Sequence, residues 1–251
     1  MKIPKSQAGR AAILLGVLLI LIGAAVGGAL ALDLGPWADR EEEVDDTTPF
    51  VPTARQGGTV IARVDGVPIY LSQAESRIEG LESMHGSVEE TLGEDWPETV
   101  LQSLVDDVVI VAEADARGII ITEGDVARSL ARIRGMVETE EDLEQWLEDQ
   151  GTTLPELEQR IYLQTLAARV YLAVTEDVSV TAAELREYYR DHKDEFRTPE
   201  GWVKPFFTQR EALEESMLKE RQDQAYAAWL EEARAQVEVD VVEQAWWRDL
   251  G

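Results

Sequence analysis

The sequence predicts a mainly α-helical protein with an N-terminal transmembrane helix and a small β element. Five hydroxyl residues are each followed, three positions later, by an acid. A hydroxyl side chain can cap the start of a helix, and an acid is favoured in the positively polarised first turn. The five predicted helix starts are Ser72…Glu75, Thr122…Asp125, Thr139…Asp142, Thr153…Glu156 and Thr181…Glu184.

Residues 11–32 form a run of 22 residues without a charge, long enough to cross a bilayer core of about 30 Å as a helix. Residues 1–10 carry only basic charges, so the positive-inside rule places this stub in the cytoplasm and the rest of the chain outside. The small-x-small step Ala29-Leu30-Ala31 favours the alternative of a cleaved signal peptide. Both interpretations predict a body outside the cytoplasm, with the anchored form a single-pass protein of the cell membrane.

Gly23 and Gly27 form a GxxxG pattern inside the apolar run. Small residues at this spacing let two helices approach closely, which predicts a possible homodimer. The alternative is that glycine is simply common in such segments.

Residues 33–58 predict an acidic flexible linker. They contain the run Asp39–Asp46, followed by two prolines and a Gly-Gly pair. A segment of this composition cannot bury enough apolar surface to fold.

The body begins and ends with residues typical of strands. The runs Thr59–Val64 and Val67–Tyr70 are joined by Asp65-Gly66, a turn signal, and Val237–Val242 alternates apolar and charged residues. We expect the strands of the two ends to pair and close the domain. Between them, Pro97 starts a helix with a wide apolar face that Gly118 ends. Two further long helices are predicted, one from Thr153 with an apolar side reaching Val174 and one from Arg210 to Gln236.

The composition excludes several kinds of function. The net charge of −27 argues against nucleic-acid binding, and the absence of Cys excludes disulfides and Cys-ligated zinc. No Gly-x-Ser-x-Gly turn occurs, and the two histidines, His85 and His192, are far apart. Asp106 and Asp107 diverge on a helix and are interpreted as a solvated edge. The sequence therefore predicts no metal, no cofactor and no catalytic residue.

Aromatic residues provide the candidate binding site. Trp202, Phe206 and Phe207 lie close together in a segment interrupted by glycine and proline. These rings are predicted to contact a client polypeptide, with Met136 and Trp146 as further candidates. The alternative is that they cover an edge of the core.

Several segments, in order, resemble the SurA/PrsA/PpiD family of extracytoplasmic chaperones. The resemblance covers 59–242 and includes a short connector at 198–209. Residues 243–251 form a tail beyond it. It implies a SurA N-terminal-like helical module in which N- and C-terminal strands pair. The similar segments are Val60–Ser72, Leu101–Thr122, Asp149–Glu158, Val180–Phe196 and Lys219–Val239.

The short connector departs from the family pattern, in which a parvulin prolyl-isomerase domain of about a hundred residues is inserted. The expectation is therefore a membrane-anchored chaperone that binds unfolded or translocating polypeptides without catalysis, and that lacks the parvulin domain. Two alternatives remain: a dedicated partner-binding or scaffold subunit of a membrane complex, and a peptidyl-prolyl cis-trans isomerase.

Overall fold

A computed structural model describes residues 47–53, 57–135, 137, 139–149, 151–243 and 245–249. The predicted span at 11–32, with Gly23 and Gly27, lies outside the described residues, and so does Met136. The described chain divides into two compact units: the first contains the residues up to Val170 and from Ala233 onward, and the second is Tyr171–Glu232.

The fold is mainly helical, as predicted. In the described part of the chain, eight α-helices and three strands follow in the order given next. The strands are β1 (Val60–Val64), β2 (Val67–Tyr70) and β3 (Val239–Val241); the helices are α1 (Leu71–His85), α2 (Val88–Leu92), α3 (Trp96–Arg117), α4 (Glu123–Arg134), α5 (Glu140–Asp149), α6 (Leu154–Val174), α7 (Ala182–Asp191) and α8 (Phe206–Gln236).

The predicted location in the membrane needs a correction. No helix among the described residues is long and apolar enough to cross a membrane. The single-pass location expected from residues 11–32 therefore has no support in the described part of the chain.

The three strands form one antiparallel sheet in the order β2-β1-β3. Ala62 pairs with Ile69 on one side and with Val241 on the other, so the predicted pairing of the two ends is confirmed. Asp65 and Gly66 both have positive φ, at 47° and 84°, as a tight two-residue hairpin turn requires. The Asp65 carboxylate also accepts a hydrogen bond from the backbone N–H of Glu238, at 2.8 Å, next to β3.

Helix α3 supplies much of the core of the first unit. Gly118 adopts the left-handed conformation at its C-terminal end, as predicted from the sequence. Its buried apolar side chains follow helical spacing and form one wide apolar face. They are Val100, Leu104, Val105, Val109, Ile110 and Ala114.

Four of the five predicted helix starts are confirmed by a hydrogen bond between the hydroxyl residue and the acid three positions on, at Thr122, Thr139, Thr153 and Thr181. The start predicted at Ser72 is wrong. The residue before helix α1 is Tyr70, two positions before Ser72, and its backbone N–H donates a hydrogen bond to the Gln73 side chain at 2.8 Å. A Gln at the third helical position forms this bond as readily as an acid does.

The interpretation of Asp106 and Asp107 as a solvated edge is wrong for Asp106. This residue is only 4% exposed, and both of its carboxylate oxygens accept hydrogen bonds from the Arg234 guanidinium near the end of α8. Asp107 is partly exposed and pairs with Arg77 of α1 at 2.5 Å. Within the first unit, the two neighbouring carboxylates therefore tie α3 to α1 and to the last residues of α8.

Candidate functional site

The second unit contains most of the candidate binding residues. It comprises the end of α6, all of α7, the segment 192–205 that joins α7 to α8 (the connector from here on) and most of α8, up to Glu232. Its small core contains Leu185, which is fully buried, together with Leu213, Tyr226 and Leu230. Tyr171 donates a hydrogen bond from its hydroxyl to Asp223 at 2.8 Å, joining α6 to α8.

Helix α7 is fixed at its start by charge as well as by capping. The Glu184 carboxylate accepts a hydrogen bond from the Thr181 backbone N–H at 2.8 Å and from the Arg221 guanidinium at 2.5 Å. Arg221 also donates to the Ser179 carbonyl at 2.8 Å. The hydrogen bond from Arg221, followed by those from Thr181, lowers the pKa of Glu184 to about 2. Glu184 thus stays ionised and holds α7 against α8 over the ordinary pH range.

The connector between α7 and α8 is a tight reversal and not an irregular loop. Arg197 and Val203 form an isolated antiparallel bridge, and the Thr198 N–H donates to the Trp202 carbonyl at 2.7 Å. Pro199 and Gly201 occupy positions that such a turn favours, with Gly201 at a φ of 89°. This reversal fixes the backbone of Trp202.

Tyr189 of α7 holds the connector in place through two ring contacts and one hydrogen bond. Its ring lies 4.9 Å from the ring of Phe196 and 5.4 Å from that of Phe206, measured between centroids. Its hydroxyl donates a hydrogen bond to the Lys204 carbonyl at 2.6 Å. Phe206 is therefore half-buried against Tyr189 and serves mainly to position its neighbours.

Trp202 and Phe207 point into solvent, with 77% and 79% of their surface exposed. We refer to these two residues as the exposed aromatic pair. Exposed large apolar side chains that form a contiguous patch mark binding sites, which makes these two residues candidates for contact with a partner or ligand. Of the other predicted contacts, Trp146 is half-buried on α5 in the first unit, and Met136 lies outside the described residues. All five assignments remain predictions.

His192 follows the last residue of α7, in the same unit as the exposed aromatic pair. His192 stacks on the ring of Tyr188 at a centroid distance of 4.0 Å, and its Nδ1 lies 3.0 Å from the Tyr188 carbonyl. A carbonyl oxygen only accepts, so Nδ1 is the donor in this contact. Among the described residues, no group of His, Asp or Glu side chains could hold a metal ion.

Sequence reasoning missed Tyr189 and Arg221. Both act through partners far along the chain: Arg221 contacts a residue 37 positions away, and Tyr189 bonds a carbonyl 15 positions away. The sequence contains one local indication of the Arg221 contact. Glu184 uses one carboxylate oxygen for the capping box, and its other oxygen can accept a hydrogen bond from a distant residue.

The first unit has one concave surface of note near its C-terminal end. It is a cavity of about 310 Å³ at the start of α3, with three acids on its rim. Trp246 is buried there and meets Trp96 edge to face at 6.0 Å. The lining residues are Glu94, Asp95, Pro97, Glu98, Leu101, Val241, Trp246 and Trp247.

Comparison with known families identifies one match. Residues 180–246, about a quarter of the chain, match the profile of the PPIC-type PPIase domain (Rotamase_2). A comparison with curated proteins finds no match. The matched residues contain α7, the connector, the exposed aromatic pair, α8 and β3.

The match corrects three expectations from the sequence. The parvulin-type domain is found and not absent, so the expected chaperone module lacking it is wrong. The expectations of binding without catalysis and of a chain that is no enzyme are also wrong, because a PPIase domain indicates an isomerase. The absence of the parvulin domain was inferred from the short connector alone. The match instead includes the connector and both helices beside it.

Proposed function

We propose that this protein is a peptidyl-prolyl cis-trans isomerase whose activity depends on residues 180–246. The match of these residues to the PPIC-type PPIase domain carries the proposal. The exposed aromatic pair within the same residues supports it, because an isomerase needs an open apolar surface for the proline ring.

The reaction requires binding and no bond chemistry. Rotation about an X-Pro bond is slow because the amide loses its resonance in the twisted state, at a barrier of about 18–20 kcal/mol. An enzyme accelerates the rotation by binding the twisted amide more tightly than either planar form. Each 1.36 kcal/mol of that difference gives about a tenfold increase in rate.

The exposed aromatic pair supplies one part of this binding. Aromatic side chains bury a large area, so Trp202 and Phe207 are suited to hold the apolar pyrrolidine ring of a substrate. The connector is fixed by the 197–203 bridge and by Tyr189, so little order is lost when substrate binds.

The substrates are extended or unfolded polypeptide segments with accessible X-Pro bonds. The chain has a net charge of −27, so segments with Lys or Arg beside the proline should associate fastest. Salt screens this attraction, and the preference for basic segments should therefore weaken at high ionic strength.

The test is exchange NMR on a short peptide with one X-Pro bond, using the full chain and no coupling protease. Uncatalysed exchange takes tens to hundreds of seconds. We expect clear acceleration by the wild type and a loss of about tenfold or more in kcat/KM when Trp202 and Phe207 are both changed to Ala, because two aromatic contacts are removed.

Trp247→Ala provides the matched control. Trp247 lines the cavity of the first unit and lies just outside the matched residues, so this variant should retain wild-type activity. The proposal fails if the full chain does not accelerate exchange. The assignment of the exposed aromatic pair fails if the double variant is as active as Trp247→Ala.

A further inference from the structure

A proline-containing segment of the chain lies along the start of α4 as an added strand. In residues 47–53, exposed and half-buried positions alternate, with Thr48, Phe50 and Pro52 turned inward. Such alternation is typical of an extended strand with one face covered. Pro49 and Thr122 form an antiparallel bridge.

Two backbone hydrogen bonds hold this segment. The Phe50 N–H donates to the Ile121 carbonyl at 2.9 Å, and the Glu123 N–H donates to the Thr48 carbonyl at 2.9 Å. The bonds flank Pro49, whose position in the bridge needs no N–H. A proline is therefore accepted at the centre of the pair, where its fixed φ also favours the extended form.

The groups that bind the segment are set in place by other contacts. The capping box at Thr122 uses its own N–H and hydroxyl to bond Asp125, leaving the N–H of Glu123 directed outward. The first N–H groups of a helix lack partners within the helix. Arg169 donates to the Ile120 carbonyl at 2.5 Å and pairs with Asp125 at 2.7 Å, which fixes this turn.

A side-chain contact adds selectivity. The ring of Phe50 lies 5.7 Å from that of Tyr162 on α6, between centroids. Burial, and secondarily Asp115, raises the pKa of the Tyr162 hydroxyl, so the ring faces the segment in its neutral form. Val51, the next residue, turns outward and is 72% exposed.

We propose that Ile121–Glu123 and Tyr162 form a strand-addition site for an extended X-Pro-aromatic segment of another polypeptide, and that Thr48–Phe50 occupies this site as an internal competitor. Strand addition takes its affinity from main-chain hydrogen bonds and its specificity from alternate side chains. This surface belongs to the first unit, and the inference does not depend on isomerase activity.

The tether sets the strength of the competition. The segment joins β1 within ten residues, and a short tether corresponds to an effective concentration on the order of millimolar. An external segment must exceed this competition to bind. Weakening the internal segment therefore increases the apparent affinity for the external one.

Fluorescence anisotropy of a labelled Thr-Thr-Pro-Phe-Val-Pro peptide, titrated with the full chain, tests the proposal. We expect Phe50→Ala to bind the peptide about tenfold more tightly than the wild type, because the internal segment loses its ring contact. Val51→Ala is the matched control and should bind like the wild type. A peptide with Ala in place of Phe should bind at least tenfold more weakly.

Tyr162→Ala tests the site itself. Combined with Phe50→Ala, this substitution should remove the gain in affinity for the peptide. In the wild-type background, we expect saturable binding at millimolar peptide, and Tyr162→Ala should weaken it. The wild-type comparison keeps the test valid if Phe50→Ala fails to fold. Absence of saturable binding, or binding unaffected by Tyr162→Ala, would overturn the proposal.

A further variant separates this site from the proposed active site. In the Phe50→Ala background, the double substitution of Trp202 and Phe207 by Ala should retain the Tyr162-dependent binding of the peptide while losing isomerase activity. Peptide binding without any isomerase activity would leave the strand-addition site standing and refute only the proposed function.

Discussion

The two units of this protein are stabilised in different ways. The first contains the sheet, the apolar face of α3 and a carboxylate, Asp106, that is buried against Arg234. The second has a small core around Leu185, and its helices are joined largely by polar contacts such as Arg221–Glu184 and Tyr171–Asp223. The second unit also leaves two large aromatic side chains exposed. The larger core and the exposed aromatic pair thus lie in different units of the chain.

The largest effect is expected from removing the buried pair of the first unit. Arg234→Ala leaves the Asp106 carboxylate, whose residue is 4% exposed, without its charged partner. Breaking such a pair costs about 3–5 kcal/mol, because the remaining charge is neither solvated nor compensated. We expect a decrease of this size in the free energy of unfolding, measured by urea denaturation.

Arg210→Ala is the control on the same helix. Arg210 pairs with Glu214 at 3.8 Å, and both side chains are largely exposed. Exposed pairs contribute about 0–1 kcal/mol. If the two arginine variants were equally stable, the Asp106–Arg234 pair would not distinguish the first unit.

The small core of the second unit should give the next largest effect. Leu185→Ala removes a fully buried side chain and should cost about 2–5 kcal/mol. If the units are stabilised separately, hydrogen exchange should increase across Tyr171–Glu232 and change little in α3. Leu172→Ala, at a position 58% exposed in the same unit, should have little effect. Equal acceleration of exchange in both units would show that they unfold together.

The difference between the units also explains what the sequence could predict. Helix starts depend on residues three apart, and the pairing of the end strands depends on alternation within each strand; both signals are local. The Asp106–Arg234 contact spans 128 residues, so the sequence showed only two adjacent acids on a helix. The connector was judged by its length, although the matched residues 180–246 include it. Contacts of Tyr189 likewise require the folded reversal at 197–203 before they exist.

A smaller effect on stability is expected from the residue that holds the connector in place. Tyr189→Phe removes the hydroxyl that donates to the Lys204 carbonyl at 2.6 Å but keeps both ring contacts. A single hydrogen bond of this kind contributes about 0.5–1.5 kcal/mol. We expect the free energy of unfolding to fall by this amount. Isomerase activity should also fall, because the connector that carries Trp202 is held less firmly.

Tyr188→Phe is the matched control for this variant. Tyr188 is on the same helix, but its hydroxyl donates to Glu195, an exposed carboxylate, and not to the backbone beside the aromatic pair. It should leave isomerase activity unchanged. Equal loss of activity in both variants would argue against a positioning role specific to Tyr189.

The smallest effect concerns acid sensitivity of the second unit. The hydrogen bonds from Arg221 and Thr181 lower the pKa of Glu184 from the ordinary 4.5 to about 2. A carboxyl whose pKa is lower in the folded state stabilises the fold above the unfolded-state pKa, and this contribution is lost as pH falls through the folded-state pKa. The loss therefore occurs between about pH 4.5 and pH 2. The Glu184 side chain is 37% exposed, and screening by solvent keeps the effect small.

Glu184→Gln should make unfolding of the second unit less dependent on pH within this window, at the expense of lower stability at neutral pH. The measurement is hydrogen exchange across Tyr171–Glu232 as pH is reduced. Glu215→Gln, which changes another exposed acid of the same unit, should retain the wild-type dependence. If Glu184→Gln follows the wild-type acid dependence, polar contacts at the start of α7 do not set the stability of the second unit, and its small core alone must do so.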